Sequence, residues 1–149
     1  MAKKKFNLTE ALRGWRKDRN ITSIDRETYV KQIIEELFEL YGLEKEAIDK
    51  NTKQLFDSWF KQLECREVGV ETLIDGAKDI VVFSDNFIEL NGYDTDKVAE
   101  EVFLEINSRE QDPTQKTDWE KNGASGKWKK NPLQNPETLY KADFDKCKL

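Results

Sequence analysis

Apolar residues recur every three or four positions through long stretches of this chain, and its three prolines, Pro113, Pro132 and Pro136, all fall beyond Arg109. That period puts apolar side chains on one helical face, and without proline nothing interrupts the helical hydrogen-bond ladder. The part before Arg109 is therefore confined to amphipathic helices. The clearest runs from Ser23 to Gly42. Ser23 offers an N-cap, Tyr29, Val30, Ile33, Ile34, Leu37, Leu40 and Tyr41 mark the apolar face, and Gly42 supplies the stop.

Four more helices follow from the same reasoning. One begins at Asn7 or Thr9 and ends near Arg19. Another spans about Glu44 to Glu67, with Ile48, Leu55, Phe56, Trp59, Phe60 and Leu63 on one side, and Trp59 and Phe60 are expected to pack. The stretch Ile80-Val81-Val82-Phe83 favours a strand by propensity. Leu73, Ala77, Ile80, Ser84, Phe87 and Ile88 nevertheless hold a helical repeat from about Val70 to Leu90, closed by Asn91-Gly92. The last helix runs from about Thr95 to Arg109. Beyond it lie prolines, glycines, lysines and the aromatics Trp119, Trp128, Tyr140 and Phe144, which mark an irregular tail whose aromatic residues dock.

Two of these helices carry acidic residues at helical spacing: Glu35, Glu36 and Glu39 in one, Asp75 and Asp79 in the other. Residues three or four apart share a face, so like charges repel. Their apolar neighbours imply partial burial, where an unpaired carboxylate is costly. Protonation, a basic partner or a divalent cation would resolve this. In the runs Ile33 to Leu43 and Leu73 to Ile88 the sole basic residue is Lys78, which could satisfy Asp75 and Asp79 directly. If the two helices pack side by side, their carboxylates form a hard-oxygen cluster suited to Mg²⁺ or Mn²⁺. Arg109, Lys116, Lys127, Lys129 and Lys130 could then neutralise a phosphate chain. That combination is suited to phosphoanhydride hydrolysis.

Composition narrows the alternatives. At 149 residues one domain with one core is expected. Apolar and charged residues each make up 37%, a lean balance for a monomer that suits helices completing their core by oligomerising. The net charge of −5 argues against nonspecific nucleic-acid binding. The absence of histidine removes imidazole-based catalysis and imidazole-ligated zinc. Cys65 and Cys147 have no ligand spacing and are expected to be reduced thiols in a cytoplasmic protein. No apolar run approaches the ~20 residues of a membrane span, so a soluble protein is expected.

The stretch Ile34-Glu35-Glu36-Leu37-Phe38-Glu39-Leu40 resembles the Glu-Glu-x-x-Glu helix of the MazG-like all-α nucleoside triphosphate pyrophosphohydrolases. Ile74-Asp75-Gly76-Ala77-Lys78-Asp79-Ile80-Val81-Val82, then Glu89 to Asp94 and Glu101-Val102, is similar to the second metal helix and following helix of phage-type members. These are related to phosphoribosyl-ATP pyrophosphohydrolases and dimeric dUTPases. Gly126-Lys127-Trp128-Lys129-Lys130 matches their Gly-Lys-x-x-Lys element. The resemblance covers roughly residues 26 to 132. It departs from the family where Asp75 stands one position before the usual glutamate, in the long spacer between the acidic helices, and at Glu105-Ile106, where relatives often carry Ser-Asn with Asn107 one position off.

The resemblance implies an all-α, MazG-like bundle of about five helices, with a helical catalytic domain over 1–110 and an irregular tail over 111–149 that packs on it and contributes to nucleotide binding. It implies a Mg²⁺ site (Mn²⁺ a possible substitute) of Glu36, Glu39, Asp75 and Asp79, with Glu35 either supporting the metal ligands from behind or acting as base, and Glu35 and Glu36 as catalytic residues. Arg109, Lys127 and Asn107 would meet the nucleotide. Trp15 is a candidate for stacking on the base, but its first reading is as a core or interface residue. The expected reaction takes a (d)NTP and water to (d)NMP and pyrophosphate, editing the nucleotide pool with a weak purine preference, in a homodimer or dimer of dimers that binds neither nucleic acid nor membrane. A phage-encoded member would act in the host cytoplasm. The alternative is a non-enzymatic helical protein whose acidic face binds a basic partner.

Overall fold

Two glycines with φ near +80°, Gly42 and Gly92, close the two helices that carry the acidic residues, and they do so with the same geometry. Gly42 N–H donates to the Glu39 carbonyl at 2.9 Å and Leu43 N–H to that of Phe38 at 3.0 Å. Gly92 N–H donates to Glu89 at 3.0 Å and Tyr93 N–H to Ile88 at 3.3 Å. This is the left-handed stop in which glycine carries no Cβ penalty.

The computed structural model describes residues 5–19, 21, 24, 26–63, 68–114 and 130–149. Cys65, Lys116, Trp119, Lys127, Trp128 and Lys129 lie outside the described residues. Among the described residues there are five α-helices: α1 (Leu8–Asp18), α2 (Arg26–Leu40), α3 (Lys45–Ser58), α4 (Val70–Leu90) and α5 (Thr95–Ser108). Short 3-10 turns occupy Phe60–Gln62, Pro136–Thr138 and Phe144–Cys147. Among the described residues there is no strand, only two isolated bridges, and no helix is long and apolar enough to cross a membrane. The protein is all-α. Asn7 caps α1 by accepting from Glu10 N–H at 3.0 Å, and Asp94 caps α5 by accepting from Lys97 N–H at 3.0 Å, each satisfying an otherwise orphaned donor of the first turn.

α3 ends at Ser58, well short of the expected Glu67. Trp59 leaves the helical region at φ −123°, ψ −64°, and the chain tightens into a 3-10 turn. Adjacent bulky aromatics lose rotamer freedom in a helix, and last turns commonly tighten in this way. Phe60 stacks on Phe56 with centroids 6.0 Å apart. Trp59, expected to pack, is 55% exposed.

The sequence suggested one core, whereas the chain's contacts fall into two compact units. One unit holds α2, α3 and the turn after α3. Its helices form a hairpin around Ile34, Ile48, Thr52 and Phe56, all buried. The other holds α1, α4, α5 and the C-terminal segment. In it α1 packs on α5, and the ring of Phe6, just before α1, lies 5.8 Å from that of Phe103. Residues 130–149 run back along α5, and the fully buried Cys147 accepts at its carbonyl from Asp94 N–H at 2.8 Å. By contrast, none of the 21 residues of α4 is buried.

Candidate functional site

The acidic residues of the sequence lie on regular helix, as their spacing requires. Glu35, Glu36 and Glu39 occupy the second half of α2, and Asp75 and Asp79 the first half of α4. Partial burial was expected of them. Glu35 is half-buried, but Glu36, Glu39, Asp75 and Asp79 are exposed. In α4 the reason is that little among the described residues packs on the helix at all. Val70, Leu73, Ala77, Ile80, Ser84 and Phe87 form a seam at three-four spacing that is itself mostly exposed, and at 3.6 residues per turn the two aspartates fall on the other side of the helix.

Glu39, Asp75 and Asp79 have no side-chain partner among the described residues, and neither does Lys78. The lysine between the aspartates therefore does not consume them. Exposed carboxylates spaced this way repel by only a few tenths of a kcal/mol, so the helices tolerate them without a counterion. Glu36 and Glu39 belong to one compact unit, Asp75 and Asp79 to the other. Within either unit, the described residues gather no group of three acidic or thiol side chains that could hold a metal ion.

The nucleotide-contact candidates fare differently, because three of them gather where the C-terminal ends of α1 and α5 meet. The agent is Arg19. Its guanidinium lies 4.6 Å from the centroid of the Trp15 ring and reaches across to α5, donating to the carbonyls of Asn107 at 3.4 Å and Arg109 at 3.5 Å. Burial pulls the Arg19 guanidinium below its ordinary value, with Asp18 acting against the shift. Sequence reasoning missed Arg19, although its place one helical turn after Trp15 was a usable signal.

Arg109 itself is engaged, its guanidinium bonded to Glu105 Oε1 at 2.5 Å while Glu105 Oε2 accepts from Ala142 N–H at 3.2 Å. Burial pushes Glu105 up, but Arg109 and the Ala142 N–H outweigh it and leave the carboxyl below its usual range. Glu105 thus orients Arg109 and anchors the C-terminal segment. Lys127 falls outside the described residues.

In comparisons with known proteins, no family model, no curated protein and no solved structure matches this chain.

Proposed function

We propose that the chain is a Mg²⁺-dependent nucleoside triphosphate pyrophosphohydrolase that converts a (d)NTP and water to a (d)NMP and pyrophosphate, with a weak preference for purines. One observation carries the reading: two helices present acidic residues at one-turn spacing in the order of the MazG-like motif they resemble, and of these Glu39, Asp75 and Asp79 have no side-chain partner among the described residues. The donor set agrees with the metal. It is made of hard carboxylate oxygens, in a chain with no histidine, and magnesium prefers such ligands with waters and substrate phosphates completing its shell.

Glu36, Glu39, Asp75 and Asp79 would hold the ion. When bound, it polarises the phosphoryl oxygen and lowers the pKa of the attacking water. Glu35, half-buried and next to Glu36 in sequence, would take the proton of that water. Trp15, Arg19, Asn107 and Arg109 would meet base and phosphate once a nucleotide displaces the Arg19 guanidinium from the Trp15 ring and Arg109 from Glu105, and Lys127 would add a further ammonium. The exposed apolar surface of α4 supports a homodimer or dimer of dimers, a cytoplasmic assembly in which a second helical surface covers it.

The exposure of the same carboxylates also favours a second reading, a non-enzymatic helical protein whose acidic face binds a basic partner. Incubation with each (d)NTP and Mg²⁺ separates the two. Monophosphate and pyrophosphate are expected as products, and their absence across the whole panel would leave the second reading standing.

A further inference from the structure

Apart from the exposed carboxylates, α2, α3 and the turn after α3 enclose a cleft of about 300 Å³. Lys31, Lys53 and Lys61 bring three ammonium groups to it, one from each element, and Glu35, Asp49 and Asp57 bring three carboxylates. Asp57 stands between two of them, its Oδ2 2.6 Å from Lys53 Nζ and its Oδ1 3.2 Å from Lys61 Nζ, which fixes their spacing. Lys31 is steadied by Glu27 at 2.6 Å and by the face of Phe56, 4.4 Å from its Nζ. Exposed pairs of this kind contribute little and exchange readily for another anion.

Two groups in the lining are unfulfilled. Thr52 is only 3% exposed, yet its hydroxyl has no hydrogen-bond partner among the described residues. Buried polar groups are almost always satisfied, so an orphan points to something that completes it. Asp49 also lines the cleft, and its carboxylate has no partner among the described residues.

A ligand that completes this site must accept hydrogen bonds from ammonium and hydroxyl donors and also donate one to a carboxylate. A simple anion fails the second requirement and a simple cation the first. We propose that the cleft binds a protonated phosphate group, either inorganic phosphate or the terminal group of a phosphomonoester. Its P–O⁻ oxygens accept from Lys31, Lys53, Lys61 and Thr52, and its P–OH donates to Asp49. Sulfate has the same shape and no proton near neutral pH, so it meets Asp49 with charge against charge. The proposal stands on residues of the α2–α3 unit alone and holds whether or not the chain hydrolyses nucleotides.

The test titrates the full chain near neutral pH with inorganic phosphate, with ribose 5-phosphate and with sulfate at matched ionic strength, followed by calorimetry and by the amide shifts of Thr52 and Lys53. Saturation by phosphate or by the ester is expected, and which of them saturates identifies the source. Sulfate should bind at least about ten-fold more weakly, because a site left with an unpaired polar group rejects the analogue that lacks the bond. The double variant Lys53→Met/Lys61→Met should lose binding; both side chains are more than half exposed, so the core is untouched. Asp49→Asn should bring sulfate close to phosphate. Equal affinity for sulfate and phosphate in the unsubstituted chain, unchanged binding in the double variant, or no saturation by either phosphate ligand would overturn the proposal.

Discussion

The Tyr140 hydroxyl donates to Glu101 Oε2 at 2.5 Å, and the same oxygen accepts from Asp143 N–H at 2.9 Å. One carboxylate on α5 thereby holds the C-terminal segment by a side chain and by its backbone. One turn along, Glu105 takes Ala142 N–H, and Ser108 adds its hydroxyl to Tyr140 N–H at 2.9 Å and its carbonyl to Gln134 Nε2 at 2.7 Å. Residues that were expected to form an irregular tail are thus laced along one helix by acceptors at positions 101, 105 and 108, the three-four spacing of a single face.

This lacing makes stability depend on pH. The Tyr140 hydroxyl, then the Asp143 N–H, hold Glu101 below its ordinary value of 4.5, and Glu105 is also lowered from 4.5. A carboxyl whose folded pKa is depressed contributes stability that is present above the unfolded value and lost as pH falls through the folded one. The melting temperature should therefore hold between pH 7 and 5 and fall below about pH 4.5, the ordinary value. Glu101→Gln should melt lower than the parent at pH 7 and show a flatter fall in acid. A parallel pH profile for the two proteins would show that Glu101 contributes nothing to the acid loss.

Thr52→Val replaces the orphaned hydroxyl with a methyl group of the same shape, in a position that is 3% exposed. A buried polar group without a partner costs about 1–3 kcal/mol. In phosphate-free buffer the variant should gain about 1 kcal/mol in a urea unfolding experiment, at an unchanged denaturant slope. A loss of stability would mean that the hydroxyl is already satisfied by water, and the argument for a ligand at the α2–α3 cleft would lose its strongest support.

Much of this architecture was legible because the signals are local. Asn7 and Asp94 cap helices with their own side chains, and Gly42 and Gly92 stop them by conformational freedom, so each boundary is written within a few residues. α4 was readable as a helix despite Ile80-Val81-Val82-Phe83, because its seam holds the helical period over about five turns, where a strand would alternate. The end of α3 was not readable, since neither glycine nor proline marks Trp59. Arg19 escaped notice because its partners Asn107 and Arg109 lie 88 and 90 residues away. The acidic motifs were found through their spacing, but their exposure was misjudged: Val82 and Phe83 share a face with Asp79 yet are themselves exposed, because burial is decided by what packs against a helix face and not by the face's own apolar content.

For the carboxylates themselves, Glu39→Gln and Asp79→Asn each remove one charge without changing shape. If these residues hold the catalytic ion, turnover of the preferred (d)NTP should fall by on the order of 100-fold or more, at or beyond the upper end of the effect of changing a residue one shell further out. Stability should stay level or rise by a few tenths of a kcal/mol as like-charge repulsion within each pair is relieved. Unfolding of either variant would assign the residue a structural role, and full activity in both would remove the metal site.

α4 offers the last and most direct test of assembly. Ile74 is 63% exposed, Phe83 71%, Phe87 57% and Leu90 87%. A helix apolar over most of its circumference is normally covered in the working particle, and a continuous apolar surface of this kind marks an interaction site. The chain should therefore sediment as a dimer or tetramer. Phe83→Glu/Phe87→Glu places charges at the edge of the α4 seam without touching a buried residue. It should shift the protein to monomer while far-UV circular dichroism still reports the helices. If the unsubstituted chain sediments as a monomer at concentrations well above those used for activity, the α4 surface has no second copy to bind. The deficit of buried apolar side chains would then have to be met in some other way.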